Sequence, residues 1–386
     1  MSKSKRIKVI IAIVAISFIQ GLQYCVSPVL GQIQNHFPDI SVSLVQMLIT
    51  APALLSMIVS LISGGLVAKI SKKKLLIGAG FVAGITGFLP FLADSFTLLF
   101  VSRTLYGVGL GLACTLNTAV VAEFFEGDER VSVMGIQAAS IGAGMVVITT
   151  MGGKLGTIGF VNAYFVNIIG FISMLLIAFL LPDTGKVQVT NTEKICLPPR
   201  VFEISALGAL EFLFLITFTT NIAMHLSGAL EGNTAISGTL TGIFSGAQII
   251  MGLILGFVTK VTKKYTLPIA MLSFAAGGAI IVCFPDNYIM LTVAAIFCGF
   301  SQGMFIPQAM VDTANAVKPV ATAMAVACFT CAMNLGQLAS PTILNGISKL
   351  LFQSVSTTHV YQIATVGMTI AALLTFMLKA KQKEEV

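Results

Sequence analysis

Gly65-Leu-Val-Ala-Lys69-Ile-Ser-Lys72-Lys73 returns about 191 residues later as Gly256-Phe-Val-Thr-Lys260-Val-Thr-Lys263-Lys264. In both copies the stretch closes a long apolar run and opens a short basic loop. With an offset one residue larger, Asp94 pairs with Asp286, Gly107 with Gly299, Gly111 with Gly303 and Gly144 with Gly336. A near-constant offset across so many positions marks a duplication, so the chain reads as two halves of one design.

The composition says where such a design sits. Of 386 residues, 56% are hydrophobic and only 10% charged, and the mean hydropathy is +0.97. Soluble domains carry roughly 25% charged residues. A helix crossing a ~30 Å hydrocarbon layer at ~1.5 Å per residue needs about 20 mostly uncharged residues. Twelve such runs are found, at 8–30, 42–66, 75–94, 96–122, 131–152, 160–181, 203–226, 237–259, 266–284, 288–313, 321–347 and 358–379. They are rich in Gly, Ala, Leu, Ile and Phe without strict alternation, which excludes the ~10-residue alternating strands of a membrane barrel. The basic opening Met1–Lys8 leads into an apolar run reaching Leu30 with no early small-residue cleavage site, so it reads as the first helix and not as a signal peptide. The expected fold class is therefore an all-α membrane protein, twelve transmembrane helices in two pseudo-symmetric six-helix bundles.

Of the 22 Lys and Arg residues, 19 fall in the tails and alternate loops of one side, Lys154 and Lys349 lie on the other, and Arg103 lies within a run. Positive charge resists translocation, so both termini are expected in the cytoplasm. The formal charge of +7 is then explained by topology and anionic inner-leaflet lipid, with no nucleic acid as partner. The longest polar stretch between runs, Pro182–Arg200, contains Pro198-Pro199 and reads as a cytoplasmic linker. The expected domains are residues 1–181, a linker 182–202, and 203–386. Parallel repeats of this kind are related by an axis along the membrane normal, and a solute site lies between them.

At this point the residues resemble the major facilitator superfamily in its bacterial twelve-helix form. Its loop between helices 2 and 3 carries a G-x-L-A-D-R-x-G-R-K-like motif, matched by Gly64-Gly65-Leu66-Val67-Ala68-Lys69-Ile70-Ser71-Lys72-Lys73-Lys74. The family's acidic residue is Ala68 here and its second glycine is Ser71. Arg103-Thr-Leu-Tyr-Gly107-Val-Gly109-Leu-Gly111 fits the R-x-x-x-G-x-G-x-G of helix 4 in proton-coupled members without a gap. The helix 5 motif of antiporters, G-x-x-x-G-P-x-x-G-G, meets Gly144-Met-Val-Val-Ile148-Thr149-Thr-Met-Gly152-Gly153, which lacks the Gly-Pro pair. The resemblance implies a secondary transporter in the bacterial cytoplasmic membrane that works by alternating access. It also implies that Gly65, Lys69, Lys72, Lys73 and Lys74 form a cytoplasmic gate and that helices 1, 4, 7 and 10 line the cavity.

Two charged residues lie deep in runs on such helices. Arg103 stands roughly 12 Å along the fourth run, where a lipid-facing charge costs at least ~2.5 kcal/mol, so it is expected to face inward. It could bind an anionic solute group, tune a neighbouring proton carrier, or form a fixed structural contact. Glu211, near the middle of the seventh run, is the acidic residue placed to take up and release a proton. Its bland reading is a permanently neutral, hydrogen-bonded packing residue. Gln20, Gln23, Tyr24, Asn117, Asn221, Gln248, Gln302 and Asn334 supply uncharged polar groups at similar depth, able to bond a solute or simply to join helices. Gly107, Gly109 and Gly111, like Gly238, Gly242 and Gly246, suit close helix approach.

No catalytic constellation is visible. His36, His225 and His359 are scattered near loops expected to face outward, and no metal or cofactor is expected. The seven cysteines sit mostly inside runs as small apolar residues, and Cys328-x-x-Cys331 reads as packing. The expectation is a monomeric carrier of a small organic solute, coupled to protons through Glu211 with Arg103 as modulator. With 27 Phe and 17 Met the cavity would suit an amphipathic solute, and export is favoured. Uptake of a small organic acid or other nutrient, with Arg103 holding its carboxylate, is the rival, and a membrane enzyme or sensor is the reading from outside transport.

Overall fold

The computed structural model describes residues 3–186, 197–317 and 321–381. Lys194, Cys196, Lys318, Lys383 and the central part of the expected linker lie outside the described residues. Among the described residues all regular structure is helical.

Twelve crossings account for it: α1 (Lys3–His36), α2 (Val42–Lys69), α3 (Lys72–Phe91), α4 (Phe96–Phe124), α5 (Gly127–Gly156), α6 (Phe160–Leu180), α7 (Pro199–His225), α8 (Thr234–Thr262), α9 (Thr266–Cys283), α10 (Tyr288–Asn315), α11 (Thr322–Phe352) and α12 (Thr357–Lys381). Ten continuous helical runs are long and apolar enough to span a bilayer; the 50-residue run Thr234–Cys283 is α8 and α9 joined at a tight turn, and α11 completes the set. The turn is made at Lys263, which adopts a left-handed φ of 50°. Helices suit this setting because each satisfies its own backbone hydrogen bonds where no water can. Phe179, Ile289, Leu350, Leu373 and Leu378 stay exposed on the outside of the bundle, as lipid-facing side chains do.

The duplication read from the sequence is also a duplication of contacts. Gly107 on α4 packs on the carbonyl of Pro52 on α2, and Gly299 on α10 packs on the carbonyl of Phe244 on α8, both members of the second pair lying 192 residues further on. One turn along, Gly111 faces the Ser56 carbonyl and Gly303 that of Gln248; a Cβ there would lie 2.6 and 2.5 Å from the oxygens. A methyl group at either site would force the helices apart, so the repeated glycines are repeated closures of one helix pair.

Three crossings are interrupted. In α1 the helix gives way to 3-10 turns over Leu22–Tyr24 and Ser27–Val29, where Pro28 withholds its N–H. In α2 the break falls at Ala51, ahead of Pro52. In α7 it falls at Ile216 without a proline: Thr217 bonds back to the Phe214 carbonyl, and Thr219 and Thr220 to that of Ile216. Threonines that bond back in this way bend helices. The interruptions of α1 and α7 fall at matching places in the two halves.

The two ends of the bundle differ. At the end that carries both termini, charged contacts stay within a half: Arg6 with Glu129 at 2.6 Å, Lys72 with Glu123 at 2.7 Å and Lys379 with Asp312 at 3.7 Å. At the opposite end the halves are stitched to each other. Ser27 donates to the Thr219 carbonyl at 2.6 Å, Ser237 to that of Pro28 at 2.8 Å, and Thr234 to that of Gly153 at 2.9 Å. Helices α5 and α8 show how the gap opens between the ends. Their backbones touch where Gly153 meets Gly238, with a Cβ on either glycine 2.9 Å from the other's Cα. On the same helical stripe towards the termini, Gly142 still meets the side chain of Ile249, but Gly135 and Gly256 have nothing within 4 Å of the Cβ position. The halves thus form a V, closed at the far end and parted at the termini end.

Candidate functional site

The α7–α10 pair holds the acidic candidate. Glu211 lies twelve residues into α7, roughly 18 Å along it at 1.5 Å per residue, and is 0% exposed. Ser301 on α10, also near mid-helix, donates its hydroxyl to Glu211 Oε1 at 2.9 Å, while Oε2 has no partner among the described residues. Gln302, next along α10, is buried with its Oε1 likewise unpartnered. A buried carboxyl oxygen and a buried amide oxygen are thus left free in the interior of the second half, and only a hydrogen-bond donor or a proton satisfies such atoms.

Arg103 occupies the corresponding interior of the first half, 1% exposed. Its Nε donates to the Leu48 carbonyl at 3.0 Å, and its terminal nitrogens to the carbonyls of Leu22 and Gln23, with Cys25 Sγ at 3.5 Å. The guanidinium also lies over the Tyr106 ring, 4.9 Å from its centroid. These carbonyls belong to the interruptions of α1 and α2, where the α-helical ladder is broken: Pro52 has no N–H to offer Leu48, and Leu22 keeps only a 3-10 bond from the Cys25 N–H at 3.3 Å. Arg103 therefore faces carbonyls and an aromatic ring, with no carboxylate among its described contacts.

The uncharged candidates divide into four groups. Gln20 and Gln23 reach the backbone of neighbouring helices, at Ala113 and Ile49, and Tyr24 is buried beside them. Asn117 on α4 donates to Ser17 on α1 at 3.0 Å, Ser17 contacts the Gln137 carbonyl on α5, and Gln137 donates to Thr118, which is exposed. This chain carries polar groups from the core of the first half to the exposed Thr118, and Asn117 Oδ1 remains unpartnered. In the second half Gln248 also keeps an unpartnered Oε1, and Asn334 is half-buried. Asn221 lies elsewhere: its Oδ1 accepts from Gln46 on α2 at 2.6 Å, inside the closed seam between the halves.

Sequence reasoning missed Ser301, Gln46, Ser17 and Gln137. Gln46 and Gln137 carry the same signal as Gln20, an amide within an apolar run. Ser301 had none, since serine is common in such runs and only packing brings it to Glu211. The proposed gate residues Lys69 and Lys74 are exposed, Lys72 pairs with Glu123, and Gly65 has open space around it. His36 pairs with Asp94 at 2.8 Å, and His225 bonds to Thr357 at 2.9 Å and to the Ile281 carbonyl, so neither joins a metal-binding group among the described residues.

Comparison with known proteins places this geometry. The profile of the Major Facilitator Superfamily matches residues 10–224 and again 204–386. The quinolone resistance protein NorA of Staphylococcus aureus strain MRSA252 is 23% identical over 274 residues, 66% of this chain and 69% of that protein. Alignment with NorA of strain Mu50 spans 150 residues, 39% of its length. The 3-(3-hydroxy-phenyl)propionate transporter of Escherichia coli strain K12 is 21% identical over 84% of this chain and 81% of its own. Among solved structures, a D323A mutant of the nucleoside transporter NupG superposes with a TM-score of 0.74 at 14% identity, covering 95% of this chain and 99% of that one. A bacterial homologue of the human lysosomal transporter Spinster, in an inward-facing and unoccupied conformation, gives 0.70 at 15% identity, covering 98% and 96%.

Proposed function

The chain belongs to the major facilitator superfamily, a family of transporters and not of enzymes, and from that premise we propose that it exports a small amphipathic organic solute by alternating access, driven by protons that Glu211 carries. The observation that carries the reading is the environment of Glu211: fully buried at mid-depth, one oxygen held by Ser301 and the other free. Such a carboxyl alternates between neutral acid and anion as the halves rock, and that alternation couples a proton to the cycle.

Each six-helix half, α1–α6 and α7–α12, acts as a rigid arm on its own side of the linker. The basic bias of the termini end supports placing that end in the cytoplasm, against anionic lipid, so the V opens inward and the stitched end faces outward. The solute enters between the arms, where Gln20, Gln23, Asn117, Gln248, Gln302 and Asn334 offer hydrogen bonds. In the opposite state Gly65, Lys69, Lys72, Lys73 and Lys74 close the cytoplasmic end. The carrier works as a monomer, because both walls of the cavity come from one chain.

Similarity to a quinolone resistance protein supports export of an organic compound, and similarity to a hydroxyphenylpropionate transporter keeps small aromatic acids among the solutes to test. The uptake reading, with Arg103 holding a carboxylate, is weaker because its guanidinium is already bonded to backbone carbonyls. A thermal-shift screen on the purified protein selects a ligand, since binding to the folded state alone raises apparent stability. Flux of that ligand is then followed in proteoliposomes under an imposed pH gradient. Gradient-driven flux that Glu211→Gln abolishes supports the proposal; equal flux in that variant overturns it.

A further inference from the structure

The closed end of the V is joined by a continuous chain of side-chain amides that spans three helices. Asn345 on α11 donates to Gln46 Oε1 on α2 at 2.7 Å, and Gln46 Nε2 donates to Asn221 Oδ1 on α7 at 2.6 Å. Asn221 passes its own N–H groups to the Thr217 carbonyl at 3.1 Å and to the Thr220 hydroxyl at 3.0 Å. The second N–H of Asn345 reaches Ser43 Oγ at 2.9 Å. All three amides are buried: Gln46 is 1%, Asn221 2% and Asn345 4% exposed.

Two features set this chain apart from the other contacts between the halves. It links side chain to side chain in one direction, starting at Asn345, which only donates and whose Oδ1 is unpartnered, while Gln46 and Asn221 each accept and donate, and chained hydrogen bonds of that kind strengthen one another. It also ends on Thr217, the residue after the interruption of α7, so it anchors the segment that continues from Glu211. Gln46 inserts from the first half between two helices of the second, and the halves cannot part at this end while its bonds hold.

We propose that Gln46, Asn221 and Asn345 are positioning residues for transport, an uncharged clasp whose release opens the bundle at the end opposite the termini. Because its members are amides, release exchanges their bonds for bonds to water and exposes no buried charge. Loss of one bond shifts the balance between closed and open about fivefold. The inference rests on the alternating-access reading, but its test needs no solute.

Hydrogen exchange measured by mass spectrometry on the full chain in lipid nanodiscs reads the clasp directly. Asn345→Ala and Gln46→Ala are each expected to speed exchange about fivefold in residues 42–50 and 217–225, to slow it in 132–140 on the parted side, and to leave α9 unchanged. Faster exchange at one end with slower exchange at the other is a change of conformation that mere loosening does not give. Unchanged exchange in 42–50 and 217–225, or a rise everywhere including α9, overturns the clasp. Should either variant fail to fold, Ser43→Ala, which removes the bond from Asn345 and the weaker bond from Ser43 to the Pro341 carbonyl at 3.3 Å but leaves the amide-to-amide bonds in place, is expected to show the same opposed pattern more weakly, and its absence counts against the proposal. A clasp that fails leaves the proton-driven flux of the wild type untouched, and absent flux leaves the exchange result standing, so the two failures are distinct.

Discussion

Ser301 on α10 donates its hydroxyl to Glu211 on α7 at 2.9 Å, and this bond tethers a carboxyl that is otherwise enclosed by the second half. The bond holds one oxygen and leaves the other without a partner.

If Glu211 carries the proton and does not hold the solute, binding and coupling separate. Glu211→Gln keeps the size and one acceptor oxygen, so the ligand-induced thermal shift should remain within about twofold of wild type in apparent affinity. Solute exchange without a gradient should persist while proton-driven transport against a gradient is lost. Loss of binding and exchange together would reassign Glu211 to the solute site.

Arg103 should behave as a structural clamp. Arg103→Met strands the carbonyls of Gln23 and Leu48 in the interior, each costing about 1–3 kcal/mol, while that of Leu22 keeps the Cys25 N–H. Thermal unfolding in detergent should therefore begin well below wild type, with Arg103→Lys recovering part of the loss. An unfolding temperature equal to wild type, with solute affinity lost, would instead make Arg103 a ligand of the solute.

The repeated glycine contacts should be energetically equivalent. Gly111→Val and Gly303→Val each drive a side chain into the opposing helix and should cost about 1–3 kcal/mol. Gly64→Ala and Gly252→Ala meet open space, so they should be neutral or stabilise slightly through helix propensity. Similar losses at all four sites, measured by thermal unfolding, would mean the close approaches do not hold the halves in shape.

Orientation has a direct check. A fluorescent protein fused after Val386 should be bright, and alkaline phosphatase fused there should be inactive, because the sequence assigns 19 of its 22 basic residues to the loops and tails of that side. Active phosphatase would invert the topology and with it the direction in which the V opens.

Much of the architecture was legible beforehand because it follows from one-dimensional signals. Runs of apolar residues marked the twelve crossings to within about five residues, and glycines at constant offset marked the repeat. The run 8–30 was placed correctly but is not one straight helix: it starts at Lys3, breaks at Leu22–Val29 and continues to His36. Pro28 was a visible cause. The break in α7 had no such marker, since Thr217, Thr219 and Thr220 bend that helix through bonds to their own backbone.

The sites were less legible. Arg103 and Glu211 stood out as charges in apolar runs, yet nothing in the order of residues says that one meets carbonyls and the other a serine. Asn221 and Gln248 look alike in sequence; one joins the seam between halves and the other keeps an unpartnered oxygen.

By itself the sequence determined that this chain spans a membrane as a duplicated helical bundle, because insertion and helix formation depend on the apolarity of each segment taken alone. Which polar groups meet, and which end of the bundle is shut, was decided only in three dimensions. In hydrocarbon a polar side chain must bond to whatever the packing of other helices brings within about 3 Å, and Asn345 reaches Gln46 from almost three hundred residues away.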